Sequence, residues 1–348
     1  MRSPLNKRLF RELRGEFGKY LVIFILMTLT IGMVSGFLVA DGSMIQAYEE
    51  SFEKYNIENG HFRTEKKMNN AQIQDIEDLG IKLYENYYVE EALTNGSKMR
   101  IFKNRDEVNK VCLMKGKMPE KSGEIGIDRM YADNNNLSVG DEIESGGHTW
   151  KITGLVALSD YSALFSNNND SMFDSVKFGV SVVCPEEFDS YKADQLNYSY
   201  AWKYNTEPKN EKAEKDISED LMEDVAKEVT LEEFVPRYTN QAIIFTGDDM
   251  GGDRSMMIVL LYIIIVIMAF VFAITTSNTI RKEANVIGTL RASGYTRGEL
   301  IRHYMAYGMI PAVAGDILGV LFCIPFSRMF CGFFFGDAEY IAYEVKIP

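Results

Sequence analysis

The sequence predicts a membrane protein with an α-helical transmembrane bundle of three spans and a large extracytoplasmic α+β domain. Three observations lead to this fold class. Three stretches of the 348-residue chain are apolar and nearly free of charge over lengths that cross a bilayer. A long acidic segment between the first two stretches alternates helical and strand patterns. The distribution of Lys and Arg then assigns that segment to the outer side of the membrane.

The three predicted spans cover residues 20–40, 255–280 and 303–328. The first holds 21 residues without a charge, and a helix of that length is roughly 32 Å long, enough to cross the hydrocarbon core. The third is interrupted by one charge, Asp316, between residues 304 and 327. A cleaved signal peptide is disfavoured for the first stretch, because its apolar run exceeds about 15 residues and no A-x-A-like site follows it.

Basic residues flank the spans on one side of the membrane. Six precede the first span and five lie in the loop 281–302, so both segments are predicted to be cytoplasmic, including the N-terminus. Residues 41–254 then lie outside the cell membrane. They carry 24 Lys and Arg against 42 Asp and Glu, a net charge of −18. An acidic outer domain argues against nucleic acid as a partner and against docking onto anionic lipid.

The segment before the first span has the pattern of an amphipathic helix. Leu5, Leu9, Leu13 and Phe17 recur four residues apart, with basic side chains between them. We interpret residues 1–19 as a cytoplasmic amphipathic elbow that lies on the lipid of the inner leaflet. A charged, solvated lead-in is the alternative.

No pattern for a metal site, a cofactor or catalysis is present. The cysteines lack C-x-x-C spacing, and Cys112 and Cys184 in the outer domain could form a disulfide without any pattern that indicates one. The sequence contains no Walker A loop, no G-x-S-x-G elbow and no kinase signature. We therefore expect that this chain is not an enzyme and that its energy comes from a separate subunit.

The outer domain, residues 41–254, is predicted to mix helices and short strands. A helix over residues 43–55 is expected to continue the first membrane helix outward, and Gly80 is expected to end a short helix. Further helices are predicted over residues 71–79 and 209–229. Strands are predicted over residues 81–89, 98–103, 111–116, 123–128, 150–156 and 176–184.

Several of these segments resemble a known family. GEIGID at residues 123–128, YADNNNLSVGDEI at 131–143 and WKITGLV at 150–156 resemble the extracytoplasmic domain of MacB/FtsX-like ABC-transporter permeases. EANVIGTLRASGYTRGELI at 283–301 is similar to the cytoplasmic connection between the second and third membrane helices of that family. With the order span, outer domain, span, loop, span, the resemblance covers nearly the whole chain.

The resemblance implies a permease without an ATPase of its own. Its partners would be a cytoplasmic ABC ATPase subunit and a second permease unit, in a homo- or heterodimer of four-helix units. The permease would couple ATP hydrolysis to export or to mechanotransmission at the outer domain. Residues 329–348 are expected to be an extracytoplasmic tail, and the family's fourth helix is missing, so the chain could be a fragment or a first half. The alternative function is a non-transport membrane sensor or an FtsX-like scaffold that regulates a cell-wall enzyme.

The loop 281–302 is predicted to hold two helices joined by a tight turn. Helical spacing precedes Gly294, which suits the left-handed conformation that ends a helix, and Thr296 with Glu299 matches a capping box. The family resemblance implies that the first helix couples to the ATPase. The residues implied in that contact are Glu283, Val286, Ile287, Leu290, Arg291 and Gly294. The alternative is that the basic residues are held at the surface by lipid charge.

Two features inside the spans are candidates for helix packing or for function. Gly32 and Gly36 in the first span, and Gly315 and Gly319 in the third, have the spacing that lets helices approach closely, within the chain or in a dimer. Asp316 lies roughly 20 Å into the membrane by helix rise. It could make an intramembrane polar or proton-linked contact, or be solvated at a kink in the helix.

We predict that Cys112 and Cys184 lie outside the cell membrane. An impermeant thiol reagent added to intact cells should label them once the outer domain is unfolded, provided that they are not paired. Labelling that requires a breached membrane would contradict the predicted topology.

Overall fold

The computed structural model describes residues 4–333 of the chain. The described residues form two compact units, one made of residues 4–45 and 250–333 and the other of residues 46–249. The predicted tail covers residues 329–348, and from residue 334 onward it lies outside the described part.

Helices dominate the first unit and strands the second. The helices are α1 (Pro4–Gly15), α2 (Phe17–Lys54), α3 (Asn70–Glu77), α4 (Arg129–Asn134), α5 (Pro185–Phe188), α6 (Glu211–Glu228), α7 (Gln241–Lys282), α8 (Ala284–Ala292) and α9 (Arg297–Phe333), with a 3₁₀ helix at Arg237–Thr239. The strands are β1 (Gly60–Thr64), β2 (Ile81–Glu85), β3 (Tyr88–Ala92), β4 (Lys98–Lys103), β5 (Val111–Gly116), β6 (Glu124–Asp128), β7 (Glu142–Ser145), β8 (His148–Leu158), β9 (Phe178–Val183), β10 (Tyr198–Tyr204) and β11 (Leu231–Pro236).

Within residues 4–333, helices α2, α7 and α9 are long and apolar enough to cross a membrane. Their apolar side chains are largely exposed in the structure, most of all along α7, which suits lipid contact rather than a water-facing surface. The predicted fold class, three membrane helices with an α+β domain, is therefore confirmed. Both α2 and α7 extend beyond the predicted spans, which confirms the helical continuation over residues 43–55.

The α+β domain contains two sheets. The smaller sheet is antiparallel with the strand order β11-β1-β10-β2. The larger sheet is mixed, in the order β3-β4-β9-β6-β8-β5, with β7 paired to β8. Its parallel pairs are β4 with β9 and β6 with β8.

Alternation of apolar and polar residues sets the buried face of the smaller sheet. Phe62 lies opposite Tyr200 on β10 and Phe234 on β11, and Trp202 stacks on Phe234 with ring centroids 4.8 Å apart. These rings lie on one face because successive strand residues point to opposite sides. The residues between them, including Arg63, therefore lie on the other face.

One predicted strand differs from the structure. The run over residues 81–89 is two strands, because β2 pairs with β10 in the smaller sheet and β3 pairs with β4 in the larger one. The chain passes from one sheet to the other at Asn86 and Tyr87. A sequence pattern reports alternation but not the pairing partner, so it cannot show this change of sheet.

The other predicted elements of the domain are confirmed with small shifts in their ends. Asn69 caps α3 with a full capping box, and Gly80 follows that helix at φ +96°. Asn210 caps α6 by accepting a hydrogen bond from the backbone N–H of Ala213 at 2.9 Å. These side chains satisfy N–H groups that the first helical turn leaves unpaired.

A buried ion pair lies beside the crossing between the sheets. Both terminal nitrogens of Arg105 donate to Asp160 at 2.7 Å, and the two side chains are only 7% and 5% exposed. Arg105 also donates to Asn86 at 2.9 Å. Removing the guanidinium would leave the Asp160 carboxylate buried without its cation, which is costly.

We predict that Arg105→Met lowers the free energy of unfolding of the domain by about 3 to 5 kcal/mol. Urea unfolding of the full chain in detergent micelles, followed by tryptophan fluorescence, measures this because both tryptophans lie in the domain. The matched control is Lys103→Met, since Lys103 pairs with Asp189 on the surface and should contribute at most about 1 kcal/mol. Equal effects of the two substitutions would contradict the prediction.

Candidate functional site

The loop between the second and third membrane helices folds as two helices and a tight turn. Helix α8 ends at Ala292, and Gly294 adopts φ +95°, a conformation that favours glycine. Thr296 and Glu299 form the predicted capping box: the Thr296 N–H donates to Glu299 Oε2 at 2.9 Å, and the Glu299 N–H donates to Thr296 Oγ1 at 3.3 Å. The predicted local structure of this loop is therefore confirmed.

The apolar side of α8 faces the protein. Val286, Ile287 and Leu290 are half-buried, and Ile287 packs against an aromatic cluster that contains Tyr304 and Tyr307. The opposite side of the helix is exposed. Its residues are Ala284, Asn285, Gly288, Thr289, Arg291 and Ala292. Among the residues implied in ATPase coupling, only Arg291 and Gly294 are thus exposed.

A network of charged and phenolic side chains joins α1 to the start of α8 and to α9. We call Arg8, Glu12, Glu283, Tyr304 and Tyr307 the elbow network. Arg8 forms ion pairs with both Glu12 and Glu283. Tyr304 donates to Glu283 at 3.0 Å, and Tyr307 donates to Glu12. Glu283, which the resemblance implies in partner contact, is instead held within the chain.

A second set of polar contacts joins the start of α2 to the end of α7. Lys19 donates to Thr279 at 2.6 Å, and Lys282 donates to Glu16 at 2.5 Å. The hydrogen bond from Lys282 holds the pKa of the Glu16 carboxyl below its usual value. Sequence analysis missed these partners, because residues 260 or more positions apart in the chain carry no pattern that links them.

The apolar face of the elbow differs from its predicted environment. Leu5 is buried, and Leu9 and Leu13 pack against the cluster that contains Tyr20. Phe17, the fourth predicted residue of that face, is 61% exposed. The elbow therefore turns most of its predicted lipid-contacting face toward the helical bundle. The elbow network fits this orientation, because Arg8 of α1 pairs with Glu283 at the start of α8 and Tyr307 of α9 donates a hydrogen bond to Glu12 of α1.

The four glycines with packing spacing all lie where α2 meets α9. A Cβ at Gly36 would lie 2.6 Å from Phe326 Cβ, and one at Gly315 would lie 2.8 Å from Met27 Cβ. A Cβ at Gly32 would be 3.2 Å from the Phe326 ring, and one at Gly319 would be 2.9 Å from Ile31 Cβ. Their location is a close contact between helices of the same chain.

Asp316 lies on α9 between two of these glycines and is half-buried. Its Oδ1 atom is buried and has no hydrogen-bond partner among residues 4–333. The two interpretations of Asp316, an intramembrane polar or proton-linked contact and solvation at a kink, stay predictions.

The cysteines and possible metal ligands add no site in the part of the chain that the structure describes. Cys112 is half-buried, Cys184 is buried, and both are free thiols. No group of three or more His, Cys, Asp or Glu side chains with metal-site geometry occurs among the described residues.

A comparison with protein families finds a match to the second and third membrane helices and the loop between them. Residues 258–346 match the model of the FtsX-like permease C-terminal family. The C-terminal region of this chain is similar to that of FtsX-like permeases. The match covers α8, the turn and α9, which are the elements of the candidate site.

Two solved domains are similar to this chain at low sequence identity. The periplasmic region of MacB from Actinobacillus actinomycetemcomitans is 12% identical, with 49% of this chain and 85% of that chain covered and a TM-score of 0.28. The extracellular domain of the noncanonic ABC-type transporter YknZ from Gram-positive bacteria is 10% identical, with 50% and 98% covered and a TM-score of 0.28. These TM-scores are too low to carry an argument. No curated protein matches the chain.

We predict that Gly36→Ala destabilises the membrane unit, whereas Gly42→Ala in the same helix does not. The added methyl at Gly36 meets Phe326 and the Ser327 backbone, an overpacking cost of about 1 to 3 kcal/mol. At Gly42 no atom lies within 4 Å of the new Cβ, so the substitution should be neutral or stabilising by up to about 1 kcal/mol. Thermal unfolding of the full chain in detergent micelles measures both, and equal melting temperatures would show that α2 and α9 are not in this contact.

Proposed function

We propose that this permease is the membrane subunit of an ABC transporter. In this role it couples ATP hydrolysis by a separate cytoplasmic ATPase to export, or to mechanical motion, at the α+β domain. The family match of residues 258–346 and the resemblance of the loop 283–301 support the proposal. The single observation that carries it is the exposed side of α8. A tight turn and a capping box follow this helix, and the elbow network connects its start to the rest of the membrane unit.

The proposed orientation of the chain in the membrane rests on the distribution of charge. The Lys and Arg residues near the N-terminus and in the loop after α7 support a cytoplasmic location of these segments. The exposed side of α8 is then available to a cytoplasmic partner, and the α+β domain lies outside the cell membrane.

The exposed side of α8 suits an ATPase contact. Gly288 has nothing within 4 Å of a built Cβ, so a partner can approach the helix backbone closely there. Arg291 is exposed beside it and offers a charge for a carboxylate on the partner. The half-buried residues Val286, Ile287 and Leu290 support this surface from behind.

The polar contacts offer a route from α8 to the long helices. Glu283, at the start of α8, pairs with Arg8 on α1, and Lys282 and Thr279, at the end of α7, bind Glu16 and Lys19 at the start of α2. A displacement of α8 would therefore act on the cytoplasmic ends of both α2 and α7. These helices hold 38 and 42 residues, roughly 57 and 63 Å at ~1.5 Å per residue, against about 30 Å of hydrocarbon. Each is long enough to carry motion beyond the membrane.

A second permease unit completes the proposed assembly as a homo- or heterodimer. The paired glycines are occupied by the contact of α2 with α9, so the dimer would use other surfaces. Exposed apolar side chains along α7, such as Ile263, Val266 and Phe270, offer one.

We predict that Arg291→Glu on the exposed side of α8 detaches the ATPase or uncouples its hydrolysis without preventing membrane insertion. Gly294→Val should do the same by straining the turn, because a β-branched residue disfavours φ +95°. Leu290→Asp should also uncouple, since it places a charge at a half-buried position behind the contact surface.

The measurement is affinity purification of the full native permease from its host membranes, with mass spectrometry for a Walker A subunit and an assay of its ATP hydrolysis. Arg281→Glu is the charge-matched control, since Arg281 is exposed at the end of α7 and outside α8. If the wild-type permease brings no such ATPase, the transporter proposal fails. If all three variants retain the ATPase and its coupling, the contact lies elsewhere.

A further inference from the structure

The α+β domain contains a cleft of about 320 Å³ between its two sheets. This volume falls in the range of small-molecule sites. The cleft lies wholly within residues 46–249, so it is separate from the candidate coupling site. Two sheets, the segment 160–168 and the start of α7 form its walls.

The first wall is the polar face of the smaller sheet. His61 and Arg63 lie two residues apart on β1, so they project to the same side, opposite Phe62 and the aromatic core. Across the sheet, Arg63 lies opposite Ser199 on β10 and Glu233 on β11.

The second wall is formed by β3 and β4 and is largely aromatic. Tyr88 lies opposite Phe102, and Arg100 stacks on the Tyr88 ring at 4.4 Å from its centroid. Tyr161 and Phe165 continue this surface. The wall can therefore cover an apolar or planar part of a ligand.

The carboxylates of the cleft already have cationic partners. Glu90 accepts from Arg100 at 2.6 Å and from Lys98 at 2.9 Å. Burial alone would raise the pKa of Glu90, but Arg100 holds it below its usual value. Asp160 binds Arg105 with both oxygens. Glu90 and Asp160 therefore offer little to a cationic ligand, and the third carboxylate of the lining, Glu233, lies 3.6 Å from Arg63 Nε.

Four asparagine side chains that line the cleft have unused donors. Each amide oxygen accepts a hydrogen bond from a group that can only donate, which fixes the orientation of the amide. The NH₂ group of each side chain then makes no hydrogen bond within residues 4–333. The four bonds are Arg105 Nη1 to Asn86 (2.9 Å), Asn169 N–H to Asn167 (3.0 Å), Gln241 N–H to Asn168 (2.8 Å) and Ala242 N–H to Asn240 (3.1 Å).

Two cationic side chains add further donors. Arg63 pairs through Nη1 with Glu232 at 2.6 Å, but its Nε is buried, makes no hydrogen bond to the described residues and lies 3.6 Å from Glu233 Oε2. His61 binds Glu58 through Nδ1 at 2.6 Å, which leaves Nε2 free on the cleft side of the sheet. Burial would lower the pKa of His61, but the ion pair with Glu58 raises it, which favours the protonated ring, the form in which Nε2 can donate.

We propose that this cleft binds a small organic oxyanion, a molecule with a carboxylate or phosphate group and an apolar or planar body. The oxyanion accepts hydrogen bonds from Arg63, His61 and the asparagine amides, and the body lies on Tyr88, Phe102 and Phe165. The excess of donors over free acceptors in the lining selects against cations and against neutral ligands that lack a strong acceptor.

Isothermal titration of the full chain in detergent micelles tests the proposal with charged and neutral probes of matched shape. N-acetylphenylalanine is compared with its amide, and phenyl phosphate with phenol. We expect one or both oxyanions to bind, each at least about tenfold more tightly than its neutral counterpart. Binding of the carboxylate alone or of the phosphate alone identifies the kind of ligand. No saturable binding of either oxyanion, or equal binding of the neutral probes, would overturn the proposal.

Two variants test whether the ligand binds in the cleft. Asn168→Asp keeps the oxygen that accepts from Gln241 but replaces the NH₂ donor with a negative charge, and Arg63→Gln removes a cation. Each should weaken oxyanion binding about tenfold or more. Lys115→Gln, which removes an exposed cation outside the cleft, should leave binding unchanged. Tryptophan fluorescence confirms that each variant is folded. Unchanged binding in both folded cleft variants would refute the assignment.

Discussion

The cost of placing a charge in hydrocarbon governs the arrangement of this chain. A charged side chain at the centre of a bilayer is expensive, and a backbone in lipid must satisfy its own hydrogen bonds. The chain responds with three long helices whose charges collect at their ends. Because half-buried charges are costly to leave unpaired, Arg8 pairs with Glu283, and the exposed Lys282 forms a second pair with Glu16. The elbow helix is held by these pairs.

The loop between α7 and α9 is held by several contacts within the chain. Glu283 is held by Arg8 and Tyr304, Gly294 makes the turn, and the capping box fixes the start of α9. Each of these contacts favours the same conformation of α8. A surface that must transmit force benefits from such preorganisation, since little motion is lost in rearranging its own side chains.

The α+β domain follows a different principle. The smaller sheet buries an apolar face and leaves a polar face, whereas β9 of the larger sheet is buried throughout, and the chain changes sheet at Asn86 and Tyr87. The polar face of β1 and the outer face of β3 and β4 then bound the same cleft. Buried ion pairs such as Arg105 with Asp160 neutralise the carboxylates near it, so the remaining hydrogen-bonding capacity is mainly that of donors.

Periodic patterns in the sequence determined the three long helices, most strands of the larger sheet and the turn at Gly294 with its capping box, but they did not identify β1, β10 and β11 of the smaller sheet. These features depend on hydrophobic spacing and on side chains within four residues of each other, which a sequence displays directly. Only the tertiary structure decided that β2 and β3 belong to different sheets, that Arg8 pairs with Glu283, and that Ile287 faces inward. It also decided that four asparagines around a cleft keep their donors free. Such contacts join residues far apart in the chain, and their partners are chosen by packing and by the need to satisfy buried polar groups rather than by any local pattern.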